Sequence, residues 1–505
     1  MPFVYDQWPL VTSSAPQLSS VEARSGLDPW KPADLPAPPT PRGLEWLKVT
    51  GPGVIVLGAA IGSGEFLLGP AVFVRHGLSL LWVVGIAVTL QTIFNTEVMR
   101  YTLATGEPVF TGFMRTRPSS TGWAWVYVVL YFLQVGWPAW AGTAAGAIFF
   151  LFTRRLAVAA DANTIYLIGV GTFLLCVVIL SVGRRIERTL ELLNWVLVVA
   201  ILGSFFVLVA LYVPGSTWTG GVLGLTGFDA ERGGFDFFPA GTDLFLLGAL
   251  VAYSGAGGVI NIVLANWARD RGYGMGERAG YISCAVGGHH VELAHTGFMF
   301  KGDAEGMRRW KGWWRVIAAD QWGVFFTGSI LGMILPAMIY VTFLPRGTDI
   351  QGLGISAALA QGISGTAGAL VGGIIAFLGA WILFKTQLDQ LEGMTRAITD
   401  ILWTGSSRLR TWRGGDVRAV YYGVLAVAVL WGIVALRLAQ PFLLLQIGAN
   451  MAGLVLVIGS VHLLYVNTRL LPEHVRPGMW RRAALVFMAV FYGFFVIRSF
   501  SALFG

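Results

Sequence analysis

From Thr121 to Thr153 the chain runs without one charged side chain. A bilayer-spanning helix needs only about 20 apolar residues, and core helices of soluble domains seldom carry so long an uncharged run. Lipid offers no partners to backbone N–H and C=O groups, so continuous apolar runs of this kind must be helices. Charged residues make up 12% of the 505, against roughly 25% in soluble domains. The expectation is an all-α, multi-pass integral membrane protein whose first structural partner is the lipid bilayer.

Apolar runs of sufficient length predict eleven spans, at 52–74, 78–100, 121–152, 163–183, 188–213, 242–267, 321–344, 366–395, 418–436, 440–467 and 482–503. The third is too long for one crossing, and a strongly tilted helix is expected there. Residues 1–50 are rich in Pro, Ser and Ala, with Pro36, Pro38, Pro39 and Pro41 just ahead of the first span. They are expected to form a mostly disordered cytoplasmic tail. Residues 51–505 then form a single transmembrane domain: repeat one over 51–213, repeat two over 242–467, an extra helix over 482–503, and a cytoplasmic loop over 269–320.

The net charge of +8 could suggest a nucleic-acid partner. Its distribution argues otherwise. With the N-terminus inside, 27 Lys and Arg residues fall in inner segments and 7 in outer ones, leaving Lys385 within a span. Positive residues collect on the cytoplasmic side, so this split predicts a cytoplasmic N-terminus, most naturally in the plasma (inner) membrane, and removes the need for nucleic acid. Two cysteines make no disulfide framework. No cofactor is expected, with a divalent metal entering only as a possible cargo.

Two spans carry a polar, glycine-rich interruption at mid-depth. The first contains Gly62, Ser63, Gly64 and Glu65; the sixth contains Tyr253, Ser254, Gly255, Ala256, Gly257 and Gly258. Each opens one half of a five-plus-five arrangement. Unwound backbone at matched positions can hold an ion or solute, which makes these segments the candidate binding site. Glycine can equally serve close helix packing. An acid inside a span is costly unless it meets partners or water, so Glu65 is the candidate cation ligand, proton carrier or metal ligand. A structural ion pair is its alternative role.

On the eighth span Lys385, Asp389, Glu392, Arg396 and Asp400 recur every three or four residues and share one helical stripe. Lys385, Gln387, Asp389 and Glu392 could line a proton pathway, with Lys385 standing in for a bound cation. Alternatively the span ends near Phe384 and the stripe is a solvated extension. Other mid-span amides, Gln134 among them, read as interhelical glue. His289, His290, Glu292 and His295 could bind a regulatory metal, though a solvated loop suits the spacing better. The stretch GMRRWKGWWRVIAADQW reads as an interfacial helix leading into the seventh span.

The stretch GPGVIVLGAAIGSGEF, followed by GLSLLWV and ending in MRYTLATGE, resembles the natural-resistance-associated macrophage protein (Nramp) family of divalent-metal transporters. Gly51, Pro52, Gly53, Leu80, Leu81, Trp82, Arg100, Ala104, Thr105 and Gly106 carry the match, which covers about residues 51–107. The resemblance implies a LeuT-like inverted-repeat fold with helices 1 and 6 interrupted, plus one extra helix. It adds Gln446 and Asn450 as candidate ion contacts, since the family uses a polar tenth-helix residue. It also places Gln387 and Gly393 in register with the family's polar eighth helix. The departures are specific. The family's Asp-Pro-Gly-Asn aligns with Gly62–Glu65, so its aspartate is absent. Its Met-Pro-His falls near Ala252, Tyr253 and Ser254, so the soft thioether ligand is missing.

The expected function is a secondary active transporter moving a divalent metal cation, coupled to protons, by alternating access. The alternative is a same-fold, proton-coupled carrier of an organic solute such as an amino acid or amine. A membrane enzyme or channel finds no support, because no nucleotide loop, nucleophile elbow, HExxH or selectivity-filter repeat occurs.

Overall fold

A computed structural model describes residues 27–182, 186–283, 293–348 and 355–504. Among these residues ten helices are long and apolar enough to cross a membrane. The sixth span is present in two pieces, Leu244–Tyr253 and Val259–Arg271. Strand structure among them is confined to two ladders of two residues per strand. The molecule is an all-α membrane protein.

Burial sorts the spans into layers. The first span is enclosed on every side. The fourth, fifth, ninth and eleventh turn residues such as Leu175, Val199, Leu430 and Val490 outward, as a lipid-facing layer must. The first and sixth spans lie five apart, an odd number, so the second set of five enters from the opposite side. Their half-helices pack on each other and on the eighth span in the centre.

The third span is not one tilted helix. It is Ser120–Val135 followed by Ala139–Thr153. Pro138 at the joint has no N–H to donate and disfavours helix at the residue before it, so the ladder stops there. The carbonyl of Gly136 left over accepts a hydrogen bond from Trp431 Nε1 at 3.0 Å.

The eighth span runs unbroken over Ala369–Gly405, ten residues beyond its expected end. The solvated-extension reading fails, because Lys385, Asp389, Glu392, Arg396 and Asp400 are all buried. The interfacial helix Ala304–Ala318 continues through a π-helical segment, Ala319–Phe326, into the seventh span, Thr327–Phe343. Two helices not anticipated, Gly215–Gly224 and Ile355–Ala367, follow the fifth and seventh spans.

Part of the tail falls among the described residues. Within residues 27–50 several points touch the body while most of the segment is exposed. Lys31–Pro32 pairs in parallel with Phe298–Met299, Trp30 and Leu35 are buried, and Trp313 Nε1 donates to Pro36 O at 2.9 Å. Tryptophans on the interfacial helix supply the apolar surface that this proline-rich segment lacks. His289, His290 and Glu292 lie outside the described residues. His295 pairs with Asp28 at 3.0 Å, and among the described residues no three potential metal-ligating side chains cluster.

Candidate functional site

The first span starts at Pro52, whose fixed φ and missing N–H suit a first helical turn. It stops when Ile61 turns extended, at φ −63° and ψ 95°. Helix resumes as a π turn, Gly64–Leu68, in which Leu68 N donates to Ser63 O at 2.9 Å, and continues as Gly69–His76. Ile61 O accepts from Thr386 Oγ1 at 3.0 Å. A Cβ on Gly62 would strike that same threonine. Glu65 stands on the π turn, 1% exposed. Its Oε2 accepts from Gly62 N at 3.3 Å, and its Oε1 has no hydrogen-bond partner.

The sixth span opens between Ser254 and Gly258. Gly255, Gly257 and Gly258 have φ of +106°, +79° and +54°, values that a side chain would strain, which is why this break is glycine-rich. Its backbone groups are taken up by two amides. Gln91 Nε2 donates to Ala252 O at 3.2 Å and Ser254 O at 2.9 Å, while its Oε1 accepts from Gly257 N at 3.1 Å. Gln134 Nε2 donates to Gly257 O at 3.0 Å and its Oε1 accepts from Val259 N at 2.9 Å. Tyr131 OH adds a bond to Val259 O at 2.8 Å.

The two breaks touch. A Cβ on Gly64 would fall on Tyr253 O. Trp140, just past the third-span joint, links them: its Nε1 donates to Ser63 Oγ at 2.9 Å, and its ring lies 6.1 Å from that of Tyr253. Gly62, Ser63, Gly64, Glu65, Tyr253, Ser254, Gly255 and Gly257 therefore share one locus.

Beside it, Lys385 points at the last turns of the first half-helix, where a Cβ on Gly58 would meet both Lys385 Nζ and Asn194 Oδ1. Lys385 Nζ lies 3.4 Å from Asp389 Oδ2, and Asn194 Nδ2 donates to Asp389 Oδ1 at 3.1 Å. Among the described residues no ion pair joins Lys385 to Glu65. Further along the stripe Glu392 accepts from Trp267 Nε1 at 2.7 Å and Arg396 Nε at 2.5 Å. Arg396 also pairs with Asp270; Arg269 bridges Asp270 and Asp400, at 2.6 Å to each. This buried network locks the second half of the sixth span to the eighth.

Two of the candidates do other work. Gln387 Oε1 accepts from Ala141 N at 3.2 Å, satisfying a donor that the third-span joint leaves without a helical partner. Asn450 Nδ2 donates to Phe245 O at 3.1 Å and Gln446 O at 3.0 Å. Phe245 is nine residues before Ser254, so Asn450 ties the tenth span to the start of the sixth rather than to the break, and its bond to the Gln446 carbonyl lies within its own helix.

Sequence reasoning passed over Gln91 and Asn194 and assigned Gln134 to glue. It also passed over Asp320, fully buried, whose carboxylate faces Gly53 at the N-terminus of the first half-helix. There the macrodipole favours an anion. The available signal for all four was a polar residue inside an apolar run.

No family model matches the chain, and no curated protein matches it. Among solved structures, the Eremococcus coleocola manganese transporter in complex with an aromatic bis-isothiourea substituted compound superposes with a TM-score of 0.63 at 14% identity, covering 92% of this chain and 90% of that one. Two crystal structures of mutants of the same transporter give TM-scores of 0.62 and 0.60 at 14% and 15% identity, covering 93% and 95% of this chain and 89% and 90% of theirs. At such identities the likeness is one of fold. The chain shares, over nearly its whole length, the fold of these transporter structures.

Proposed function

We propose that the chain is a secondary active transporter working by alternating access around the two breaks, with its N-terminus cytoplasmic and Glu65 meeting the cargo and the coupled proton. The observation that carries this reading is the unpartnered Glu65 Oε1, buried where both central helices come apart. A buried carboxylate oxygen with no donor is costly unless something arrives to satisfy it.

Charge supports a cargo with one positive charge and hydrogen-bonding capacity, as in a small organic amine. Lys385 and Asp389 neutralise each other, which leaves Glu65 with a single negative charge to offer. Hard divalent ions want about six oxygens or more, whereas the carbonyls of Ala252, Ser254 and Gly257 already accept side-chain donors. Divalent metal is the second reading, favoured by the shared fold with a manganese transporter.

Purified protein in liposomes, loaded with a pH-sensitive dye and offered small alkylamines, amino acids, Mn²⁺ and Mg²⁺ in turn, tests both. Accumulation of an amine with accompanying proton movement, strongly lowered by Glu65→Gln, is expected. Proton-linked uptake of Mn²⁺ with no response to any amine transfers the assignment to metal. No flux of any solute removes the transporter reading.

A further inference from the structure

Away from both breaks, where the chain enters the ninth span, the turn at residues 412–415 and the first two turns of the helix Val417–Ala435 border an open groove of about 720 Å³. Trp412, Arg413, Ala419, Tyr422 and Gly423 line it, together with Asp416 and Arg418. Ala419 and Gly423 lie one helical turn apart, and Val427, Leu430 and Val434 continue the same face of the helix. Those three side chains are exposed, so the groove runs on into an apolar stripe that meets lipid. The small pair at its start leaves a slot at the membrane boundary.

Arg413 stands at the head of this stripe. Gly415 N donates to Trp412 O at 3.1 Å and closes the turn. Within it Arg413 has φ +49° and ψ +43°, left-handed values that strain a residue bearing a side chain and that glycine adopts freely. Its guanidinium lies 5.2 Å from the centroid of the Trp412 ring, within cation–π range, and no carboxylate pairs with it among the described residues. The one acid of the groove is spent on another arginine: Asp416 accepts from Arg418 N at 3.0 Å and from Arg418 Nε at 3.0 and 2.8 Å. Residues 407–418 carry four arginines against that single acid. Trp412, 43% exposed, supplies the kind of amphipathic ring that collects at membrane–water boundaries.

We propose that this groove binds an anionic phospholipid, with the headgroup phosphate accepting from the Arg413 guanidinium and one acyl chain lying along Ala419, Gly423 and Val427. Arginine presents a planar fork of donors that fits phosphate, and basic pockets beside membrane helices take anionic headgroups. The exposed stripe favours a lipid over a free phosphate ion, because it gives an attached chain somewhere to lie. A bound lipid would also brace the ninth span against the fourth, since Tyr422 in the same wall donates its OH to Leu180 O at 3.0 Å. The inference uses neither break and does not depend on which cargo the chain carries.

The test is native mass spectrometry of the purified full chain in detergent, titrated separately with phosphatidylglycerol and phosphatidylcholine of the same acyl chains, and with glycerol phosphate. The first phosphatidylglycerol should bind about fivefold more tightly than the first phosphatidylcholine, the size of one arginine's attraction to an anionic headgroup. Arg413→Gly relieves the left-handed strain, so it keeps the fold and should remove that preference. Gly423→Leu is tolerated, because a Cβ there meets nothing within 4 Å, and the rest of the side chain should fill the slot and weaken phosphatidylglycerol binding. Arg408→Gln, on the same basic segment but outside the groove, should keep the preference. Equal affinity for the two lipids, a preference that survives Arg413→Gly, an equal loss in Arg408→Gln, undiminished binding in Gly423→Leu, or glycerol phosphate bound as tightly as the lipid overturns the proposal.

Discussion

The two breaks look alike as strings of glycine and polar residues, yet they are held differently. The second is stapled: Gln91 and Gln134 between them occupy three carbonyls and two N–H groups, and Arg396 anchors the helix that follows. The first is held more lightly, by Thr386, by Trp140 through Ser63, and by Glu65 folding back on Gly62. It also keeps an acid oxygen free. The contrast suggests a fixed scaffold facing a movable, chemically open partner, and each half can be attacked separately.

The largest effect should come from unlocking the scaffold. Arg396→Met leaves Glu392 buried without its cation and takes one of two arginines from Asp270, and breaking such a buried pair costs about 3–5 kcal/mol. A large drop in melting temperature in detergent is expected, and a melting curve like that of the unsubstituted chain would sink the anchoring role. Gln91→Leu and Gln134→Leu each strand backbone groups in the second break, at about 1–3 kcal/mol per unsatisfied group. Hydrogen exchange of Ala256–Ile260 should accelerate in both. Equal acceleration at Gly62–Glu65 would show that the two breaks are one unit.

Glu65→Gln works in the opposite sense. It should lower transport by about 100-fold, the upper range of a lost charge-assisted contact, with the melting temperature kept. A variant that melts early while still transporting would make Glu65 structural. The smallest effect lies outside both breaks, where Glu107 receives hydrogen bonds from Tyr101 OH at 2.6 Å and Arg115 NH2 at 2.5 Å. Burial acts to raise its carboxyl, but the Arg115 guanidinium outweighs it and holds the group below the usual range. A depressed folded value means stabilisation present above the unfolded pKa, about 4.3, and lost as pH falls through the folded one. Melting temperature should therefore decline as the pH falls below about 4, and Glu107→Gln should flatten that decline.

Much of the plan was legible beforehand. Long uncharged runs require helices in lipid, and so the spans could be counted. Glycines beside Glu65 and between Tyr253 and Val259 marked both breaks. The eighth-span stripe was visible as spacing, but not its destination. Whether Lys385 and Asp389 meet water or each other depends on which helices cover them, and Asn194 of the fifth span covers them here. The third-span joint is legible in Pro138, whose missing N–H interrupts a helix, whereas the length of the run by itself points only to tilt.

The amino-acid order by itself determined that this chain is a bundle of membrane helices, where two of them open, and that an acid stands at one opening. These follow from local physics: backbone needs partners in lipid, and glycine permits what other residues resist. Only the tertiary structure decided which polar side chains are spent on holding the bundle and which are left over. Gln91, Gln134, Gln387 and Asn450 are chemically alike, and a hydrogen bond is assigned by what lies within about 3 Å, a distance that chain order between distant helices does not specify.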